Sequence, residues 1–139
     1  MLMKLNSDCV RDILMMVEDV CDFNTVVEYS NYSEKHEHID KYSHDEIIYH
    51  IKQCEQAGLI DGVDYYDDGD YIVINDLTPS GHDFLANIRQ DTVWNGVKAV
   101  AKKVGSTSLS ALVQISSNVI TEIIKAQFGL NGSGMPFIS

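Results

Sequence analysis

The chain has few cysteines, little proline and no long apolar run. Its three cysteines, Cys9, Cys21 and Cys54, are widely spaced, and no Cys-x-x-Cys pair occurs. An odd number of isolated cysteines does not fit a disulfide framework, so we expect reduced thiols and a cytoplasmic protein. No run of eighteen apolar residues is present, which argues against a membrane span. The N-terminus also lacks an apolar segment of the secretory signal type, so we expect no export.

Basic residues are scarce as well. The 139 residues include 10 Lys and Arg against 21 Asp and Glu, which gives a net charge of −11. The imbalance is uneven, because residues 1–90 carry a net charge of −13 and residues 91–139 carry +2. An acidic surface repels free nucleic acid and attracts basic surfaces. The composition therefore favours a basic protein partner over a nucleic acid.

Motifs for catalysis and cofactor binding are also missing. No Gly-x-Ser-x-Gly and no phosphate-binding loop occurs, and no nucleophile motif surrounds His82. We therefore expect a non-enzymatic protein without a cofactor, in which His82 is a buried or capping residue. With 45% hydrophobic and 22% charged residues, the chain is typical of a globular protein. Its length predicts a single domain over residues 1–128, followed by a flexible Gly-rich tail at 129–139.

The first half of the chain predicts two helices that flank a strand. Apolar residues recur at helical spacing over residues 7–21, where Ser7 would cap the helix. Residues 25–29 have the β-branched and aromatic composition of a short strand. Residues 30–42 are polar and predict a loop or a second irregular strand. A capping box, Ser43-His-Asp-Glu46, then begins a helix that extends to about residue 57 and ends at Gly58.

A β-hairpin follows this helix. Asp68-Gly69 is a strong signal for a two-residue turn of the primed type. This turn would pair Tyr65 with Ile72 and Val63 with Ile74 on the core face. It would also pair Tyr66 with Tyr71 on the opposite face, beside Asp64 and Val73. The outer face would then be unusually aromatic for a solvent-exposed surface.

The second half of the chain predicts further helices. Thr78-Pro79 is a typical helix start, and helical periodicity continues to residue 104, as one bent helix or as two. A last amphipathic helix is predicted from Ser108 to Phe128. Its apolar band is too wide for one exposed side, so the helix either wraps around the core or pairs with a second copy. A homodimer through this helix is therefore one expectation.

Several segments resemble a family of small phage and prophage proteins that is known only as a domain of unknown function. The resemblance spans about residues 5–125 and lies in Tyr49-His-Ile51, Ala57-Gly-Leu-Ile60, Leu77-Thr-Pro-Ser-Gly-His-Asp-Phe-Leu85 and Asp91-Thr-Val-Trp94. It implies a bacterial host cell, a cytosolic setting and a winged-helix-like core, but no activity. The stretch from Ser30 to Tyr42 is longer than the family pattern. The expected fold is thus α+β, with a winged-helix-like core, a small antiparallel hairpin or sheet, and additional C-terminal helices.

The tip of the predicted hairpin is acidic. Five aspartates and no basic residue lie within residues 61–70. A carboxylate about 6 Å from a DNA phosphate costs roughly 0.7 kcal/mol in water, so several of them would oppose DNA binding. The tip is either a solvated turn that protects an edge strand or a contact surface for a basic protein. For the contact surface, the candidate residues are Asp64, Tyr66, Asp67, Asp68, Asp70 and Tyr71.

Three further hypotheses concern DNA and metals. The alternative function is a DNA-binding regulator that is dimeric through residues 108–128, in which Lys98, Lys102 and Lys103 would contact phosphates. Calcium is not expected at the hairpin, because the loop lacks the closing Glu of an EF-hand. Zinc is not expected either, because no second ligand pair would complete a site with the closely spaced His50 and Cys54.

The preferred function is an accessory protein that binds another protein, with a host nucleic-acid-handling or defence protein as a sensible target.

Overall fold

A computed structural model describes residues 3–106 and 108–129 of the chain. The fold is α+β, with helices and small antiparallel sheets. Two compact units are present, Met1–Ala86 and Asn87–Ser139. In chain order the elements are α1 (Ser7–Val20), β1 (Val27–Ser30), α2 (His44–Gln56), β2 (Ile60–Asp61), β3 (Asp64–Tyr66), a 3-10 turn (Asp67–Gly69), β4 (Tyr71–Ile74), β5 (Asp76–Leu77), α3 (Pro79–Ile88), α4 (Asp91–Val104) and α5 (Leu109–Gln127).

The first unit contains a three-stranded antiparallel sheet with the order β1-β4-β3. Alternate residues of its strands point into the core, since successive side chains of a strand lie on opposite faces. The buried side chains on the inner face are Val27, Tyr29, Ile72 and Ile74. A second antiparallel pair joins β2 to β5, where Ile60 lies opposite Leu77. Both small sheets are therefore amphipathic and contribute one face to the core.

Helices α1 and α2 pack against each other in this unit. The predicted apolar stripe of α1 is buried, but its cap is Asn6 rather than Ser7. Asn6 Oδ1 accepts hydrogen bonds from the backbone N–H groups of Asp8 and Cys9. Asparagine is at least as good an N-cap as serine, and it lies one residue earlier. The expectation for Ser7 was therefore wrong.

The capping box of α2 is confirmed. Ser43 Oγ accepts from the Glu46 N–H at 3.2 Å, and the Glu46 carboxylate accepts from the Ser43 N–H at 3.1 Å. Gly58 follows the helix with φ +76°, the left-handed conformation that favours glycine. The strand before α2 is Val27–Ser30, which begins two residues later and ends one residue later than predicted, because Thr25 instead closes a tight turn with Asp22. Residues 31–42 form turns and irregular loop, so of the two alternatives the loop is confirmed and the second irregular strand is wrong.

The segment that begins α3 is held tightly against the end of α2. Thr78 Oγ1 accepts from the Gly81 N–H and donates to the Gly58 carbonyl. The Thr78 N–H donates to the Leu59 carbonyl at 3.0 Å. A Cβ atom on Gly81 would lie 2.0 Å from the same Leu59 oxygen. Only glycine fits this approach, so Thr78, Gly81 and the backbone of residues 58–59 form a structural clamp.

His82 does not have the buried or capping role expected from the sequence. Its side chain is exposed, and its backbone N–H continues the helix by donating to Thr78. The clamp explains the difference, because Gly81 takes the position closest to the neighbouring backbone. His82, one residue further along the helix, therefore faces solvent.

The second unit is built around α4 and α5, which pack against each other. The chain from residue 79 to 104 is two helices rather than one, with the break at residues 89–90. Buried side chains of this unit include Trp94 and Val97 on α4 and Leu112 on α5. Ser108 caps α5 by accepting from the Ala111 N–H at 3.1 Å. The predicted tail lies outside the described residues beyond Gly129.

Candidate functional site

The tip of the hairpin is a tight turn of the primed type. Asp68 has φ 55° and ψ 34°, Gly69 has φ 92°, and the Asp70 N–H donates to the Asp67 carbonyl at 3.0 Å. Left-handed backbone at both central residues is what Asp-Gly turns of this type require. Asp67 also has a positive φ of 53°. Aspartate tolerates this conformation better than most residues, which helps to explain the aspartates at the tip.

The strand register places two tyrosines side by side on the outer face of the sheet. Tyr66 lies opposite Tyr71, and Asp64 lies opposite Val73, which confirms the pairing predicted from the turn. The centres of the two tyrosine rings are 5.8 Å apart, and Tyr66 is 51% exposed. The Tyr71 hydroxyl donates to Glu28 on β1 at 2.9 Å, and this hydrogen bond raises the pKa of Tyr71.

The predicted pairing of Val63 with Ile74 is not part of the ladder. β3 begins at Asp64, and Val63 is half-buried in the connection from β2. Tyr65 lies opposite Ile72 as predicted, and it is half-buried. Its hydroxyl donates to the Glu55 carboxylate at 3.0 Å. Helix α2 therefore holds the hairpin through Tyr65, while the outer face remains accessible.

Asp70 differs from the other aspartates of the hairpin, because its carboxylate is already engaged. One oxygen accepts from the Tyr32 hydroxyl at 2.7 Å, and the other contacts Asn31 Nδ2 at 3.2 Å and His44 Nε2 at 3.1 Å. The hydrogen bond from Tyr32 is the main cause that lowers the pKa of Asp70. Asp70 therefore fixes the hairpin in place, and it is less available to a partner than the sequence suggested.

His44 extends this network into the core and was missed by the sequence reasoning. Its Nδ1 lies 2.6 Å from the hydroxyl of buried Tyr29, and its Nε2 faces Asp70. The rings of Tyr29 and His44 are stacked at 5.6 Å. Because His44 is the first residue of α2, the network joins α2, β1 and the hairpin. The spacing of these residues in the sequence gives no sign of this contact.

Apart from Asp70, the aspartates within residues 61–70 are exposed. We define the acidic wing surface as exposed Asp64, Tyr66, Asp67 and Asp68 together with half-buried Tyr71. The sequence contains no Lys or Arg between residues 53 and 88 or between residues 12 and 34, so none of the three strands carries a cation. The structure thus brings together five of the six predicted residues on one surface and assigns Asp70 to its support.

A groove of about 530 Å³ adjoins this surface. It is lined by Ile48, Lys52, Tyr65, Asp68 and Gly69. Lys52 Nζ lies 5.7 Å from the centre of the Tyr65 ring, so α2 contributes one cation to the groove wall. The groove is therefore of mixed charge, whereas the acidic wing surface beside it is not.

His50 and Cys54 are not arranged as metal ligands. Both are fully buried. His50 Nε2 accepts from the Asn6 N–H at 2.8 Å, which places the ring proton on Nδ1, where it donates to the Glu46 carbonyl at 2.7 Å. Burial is the main cause that raises the pKa of Cys54, and all three thiols are free. Both residues therefore belong to the core.

One other group of side chains could approach a metal ion. Potential ligand atoms of Asp19, Glu37 and His38 all lie within 4.8 Å of one another. His38 Nε2 is 2.8 Å from Asp19, so a direct contact already accounts for this pair. Among the described residues, no side-chain nitrogen or oxygen is buried without a hydrogen-bond partner. In that part of the chain, no orphaned polar group points to a missing ligand.

The fold and the site together define a small α+β protein with an acidic, tyrosine-containing hairpin surface. The chain belongs to the family described as hypothetical protein DUF2513, whose model matches residues 4–108. It is 31% identical over 124 residues to an uncharacterized protein of Haemophilus influenzae, covering 88% of this chain and 99% of the relative. No solved structure matches it. None of the helices among the described residues is long and apolar enough to span a membrane.

Proposed function

We propose that this protein is a non-enzymatic accessory protein of phage or prophage origin that binds another protein through the acidic wing surface. The observation that carries the proposal is the pair of exposed Tyr66 and half-buried Tyr71 beside exposed Asp64, Asp67 and Asp68. The absence of Lys and Arg from all three strands leaves this surface with one sign of charge. Its partner would therefore carry a basic surface.

The arrangement has the composition of a protein interface. Aromatic side chains are enriched at interface centres because they bury a large area, and Tyr also supplies a polar hydroxyl. Carboxylates around such a centre speed association with a basic partner and disfavour acidic ones. The network of Asp70 supports this role, since it holds the hairpin in one position before a partner arrives. A preformed surface loses less conformational entropy on binding.

The chemistry also suggests the class of partner. A protein that binds nucleic acid has a basic surface that is complementary to closely spaced phosphates. Exposed aspartates on a rigid hairpin would compete for the same surface. We therefore propose a host nucleic-acid-handling or defence protein in the bacterial cytoplasm as the target, with inhibition as the outcome.

A dimeric winged-helix transcriptional regulator is the second candidate function. The sheet order β1-β4-β3, with α2 preceding the hairpin in the chain, favours it, because winged helices share this arrangement. Residues 31–42 would replace a helix of that fold. Exposed Lys52 and Gln56 on α2 are residue types that contact DNA. The aspartates of the hairpin oppose this function, since a wing normally approaches the DNA backbone.

Binding through the acidic wing surface is tested by neutralising its carboxylates. The triple variant Asp64→Asn, Asp67→Asn, Asp68→Asn removes three charges but keeps Asp70 and its network. The matched control neutralises three exposed acids elsewhere in the first unit, Glu34→Gln, Asp40→Asn and Asp83→Asn. Proteins captured from a bacterial lysate by the wild-type chain and the control, but lost with the wing variant, would support the proposal. Capture that is unchanged by the wing variant would refute it.

A mobility-shift assay separates the two candidate functions. The second candidate predicts a complex with duplex DNA at low salt that weakens steeply as salt rises. That complex should also strengthen when the three wing aspartates are neutralised, because repulsion from the phosphates is removed. Our preferred function predicts no complex with the wild-type chain even at low salt.

A further inference from the structure

The groove between helix α2 and the hairpin shares Asp68 with the acidic wing surface. Helix α2 contributes Ile48 and Lys52 to its wall, and the hairpin contributes Tyr65, Asp68 and Gly69. Ile48 and Gly69 pack closely, since a Cβ atom on Gly69 would lie 3.0 Å from Ile48 Cδ1. A side chain at position 69 would therefore crowd this wall, and glycine preserves the shape of the groove.

The Tyr65 ring is a fixed part of the wall. Tyr65 lies opposite Ile72 in the sheet, and its hydroxyl donates to the Glu55 carboxylate of α2 at 3.0 Å. The backbone and the far end of the side chain are thus both held. An aromatic ring that keeps its position offers its negative π face to a cation without losing further rotational freedom.

One cation already lies over this ring. Lys52 Nζ is 5.7 Å from the ring centre, within the range of a cation–π contact. Lys52 and Asp68 line the same groove, yet neither forms an ion pair with any residue that the structure describes. The ring face therefore accepts a positive charge, while the Asp68 carboxylate nearby has no cationic partner.

The charges around the groove favour a cation of the partner over an anion. Asp64 and Asp67 are exposed on the hairpin with Asp68, and the three strands carry no Lys or Arg. Among the groove-lining residues, Lys52 is the single cation, and its exposed side chain is long and flexible. A partner cation that displaced Lys52 from the ring would also gain the carboxylate that Lys52 does not pair with.

The combination of a ring face and a carboxylate suits arginine better than lysine. A guanidinium is planar, stacks on an aromatic face and donates two parallel hydrogen bonds to a carboxylate. An ammonium group is a compact and strongly hydrated charge, so it loses more hydration in such a site. Arginine and tyrosine are also the residue types that most often dominate the binding energy of protein interfaces.

We propose that the groove receives an arginine side chain of the basic partner, which stacks on Tyr65, pairs with Asp68 and displaces Lys52. This inference rests on the proposed function, because it names the group through which a basic partner is recognised beside the acidic wing surface. Lys52 would then act as an internal competitor that only a better ligand for the ring displaces.

Two peptides of equal length and charge, nona-arginine and nona-lysine, serve as probes for the full chain. Isothermal titration should give at least about threefold tighter binding of nona-arginine, since the guanidinium adds stacking and paired hydrogen bonds. In two-dimensional NMR spectra, nona-arginine should shift the amide signals of Ile48, Lys52 and Gly69. Equal affinities for the two peptides, or no binding of either, would overturn the inference.

Substitutions of Tyr65 separate the ring from general charge attraction. Tyr65→Phe keeps the ring and should keep the preference for nona-arginine, whereas Tyr65→Leu should abolish it. Asp68→Asn should weaken nona-arginine binding more than Asp83→Asn, which removes the same charge from an exposed position on α3. Circular dichroism of each variant shows that it is folded. A preference for nona-arginine that survives both Tyr65→Leu and Asp68→Asn would overturn the inference.

Removal of Lys52 gives the sharpest result and leaves Tyr65 intact. Lys52→Ala should tighten nona-arginine binding roughly two- to fivefold relative to Lys4→Ala, which removes one charge from an exposed position outside the groove. This range corresponds to the loss of one competing cation–π contact. An equal effect of the two substitutions would show that Lys52 does not compete, and the inference would be wrong.

Failure of this inference and failure of the proposed function give different results. If both peptides bound equally and the triple wing variant lost both, the acidic wing surface would stand and the arginine site would fall. If lysate capture were unchanged by the triple wing variant, the proposed function would fail whatever the peptides showed.

Discussion

Replacing Gly81 with alanine should destabilise this protein far more than the addition of one methyl group suggests. The new Cβ would lie 2.0 Å from the Leu59 carbonyl oxygen, where ordinary contact begins at about 3.4 Å. Both atoms belong to the backbone or are bonded to it, so no side-chain rotation relieves the overlap. The start of α3 must instead move away from residues 58–59 by roughly 1 Å or more.

The size of the effect follows from the contacts that this movement disrupts. The Thr78 N–H donates to the same Leu59 oxygen, and Thr78 Oγ1 donates to the Gly58 carbonyl. Losing two hydrogen bonds costs about 1 kcal/mol each, and residual overpacking adds about 1–3 kcal/mol. The expected loss of about 3–5 kcal/mol is a large share of the 5–15 kcal/mol of a typical domain. It corresponds to a fall in Tm of roughly 10–20 °C.

The assay is thermal and urea unfolding followed by circular dichroism, with Gly96→Ala as the matched control. Gly96 lies within α4, and no atom would lie within 4 Å of an added Cβ. The control should therefore stabilise the protein by about 1 kcal/mol, since alanine favours helix. A lower stability of Gly81→Ala together with a higher stability of Gly96→Ala would support the clamp. A Gly81→Ala variant within about 1 kcal/mol of wild type would refute it.

Two further predictions concern the hairpin and the thiols. The hydrogen bond from Tyr32 is the main cause that lowers the pKa of Asp70. The ionised Asp70 carboxylate therefore stabilises the hairpin above a pH of about 4, and this contribution is lost as the pH falls below that value. Hydrogen exchange should show reduced protection of the hairpin amides in acid. The Asp70→Asn substitution should reduce the same protection at neutral pH. Equal protection of the hairpin amides in the wild-type protein and the Asp70→Asn variant would contradict the prediction. Burial raises the pKa of Cys9 to about 12 and also raises that of Cys54, so iodoacetamide should modify them at pH 8 only after denaturation. Rapid labelling of either thiol in the native protein, measured by mass spectrometry, would show that these sites open.

Features encoded in a few adjacent residues could be predicted from the sequence. The capping box at Ser43 fixes the start of α2, and the Asp68-Gly69 turn fixes the register that places Tyr66 beside Tyr71. In both cases the competing conformations are restricted locally, by hydrogen bonds to adjacent backbone or by positive φ angles. The break between α3 and α4 carried no comparable signal, so one helix and two helices were equally consistent with the periodicity.

Contacts between distant parts of the chain could not be predicted. Asp70 meets Tyr32 and His44, which lie 38 and 26 residues earlier, and nothing in the local sequence separates it from Asp67 or Asp68. As a result, Asp70 was predicted to bind a partner, whereas its side chain supports the hairpin. The prediction of a buried or capping His82 was wrong for a related reason. Its exposure follows from the fit of Gly81 against Leu59, which requires the three-dimensional arrangement.

The clamp also explains why the family resemblance indicates a fold without indicating an activity. The segment from Leu77 to Leu85, which carries part of the resemblance, holds α3 against the end of α2 through Thr78 and Gly81. Residues that make such a fit stabilise the scaffold whatever its surface binds. The proposed function instead rests on exposed aspartates that make no comparable structural contacts. Substitutions at the clamp should therefore lower stability, whereas neutralising Asp64, Asp67 and Asp68 should change binding and leave Tm within a few degrees, because exposed charges contribute little to folding. If the wing variant unfolded as readily as Gly81→Ala, the aspartates would be structural, and the separation between scaffold and binding surface would be wrong.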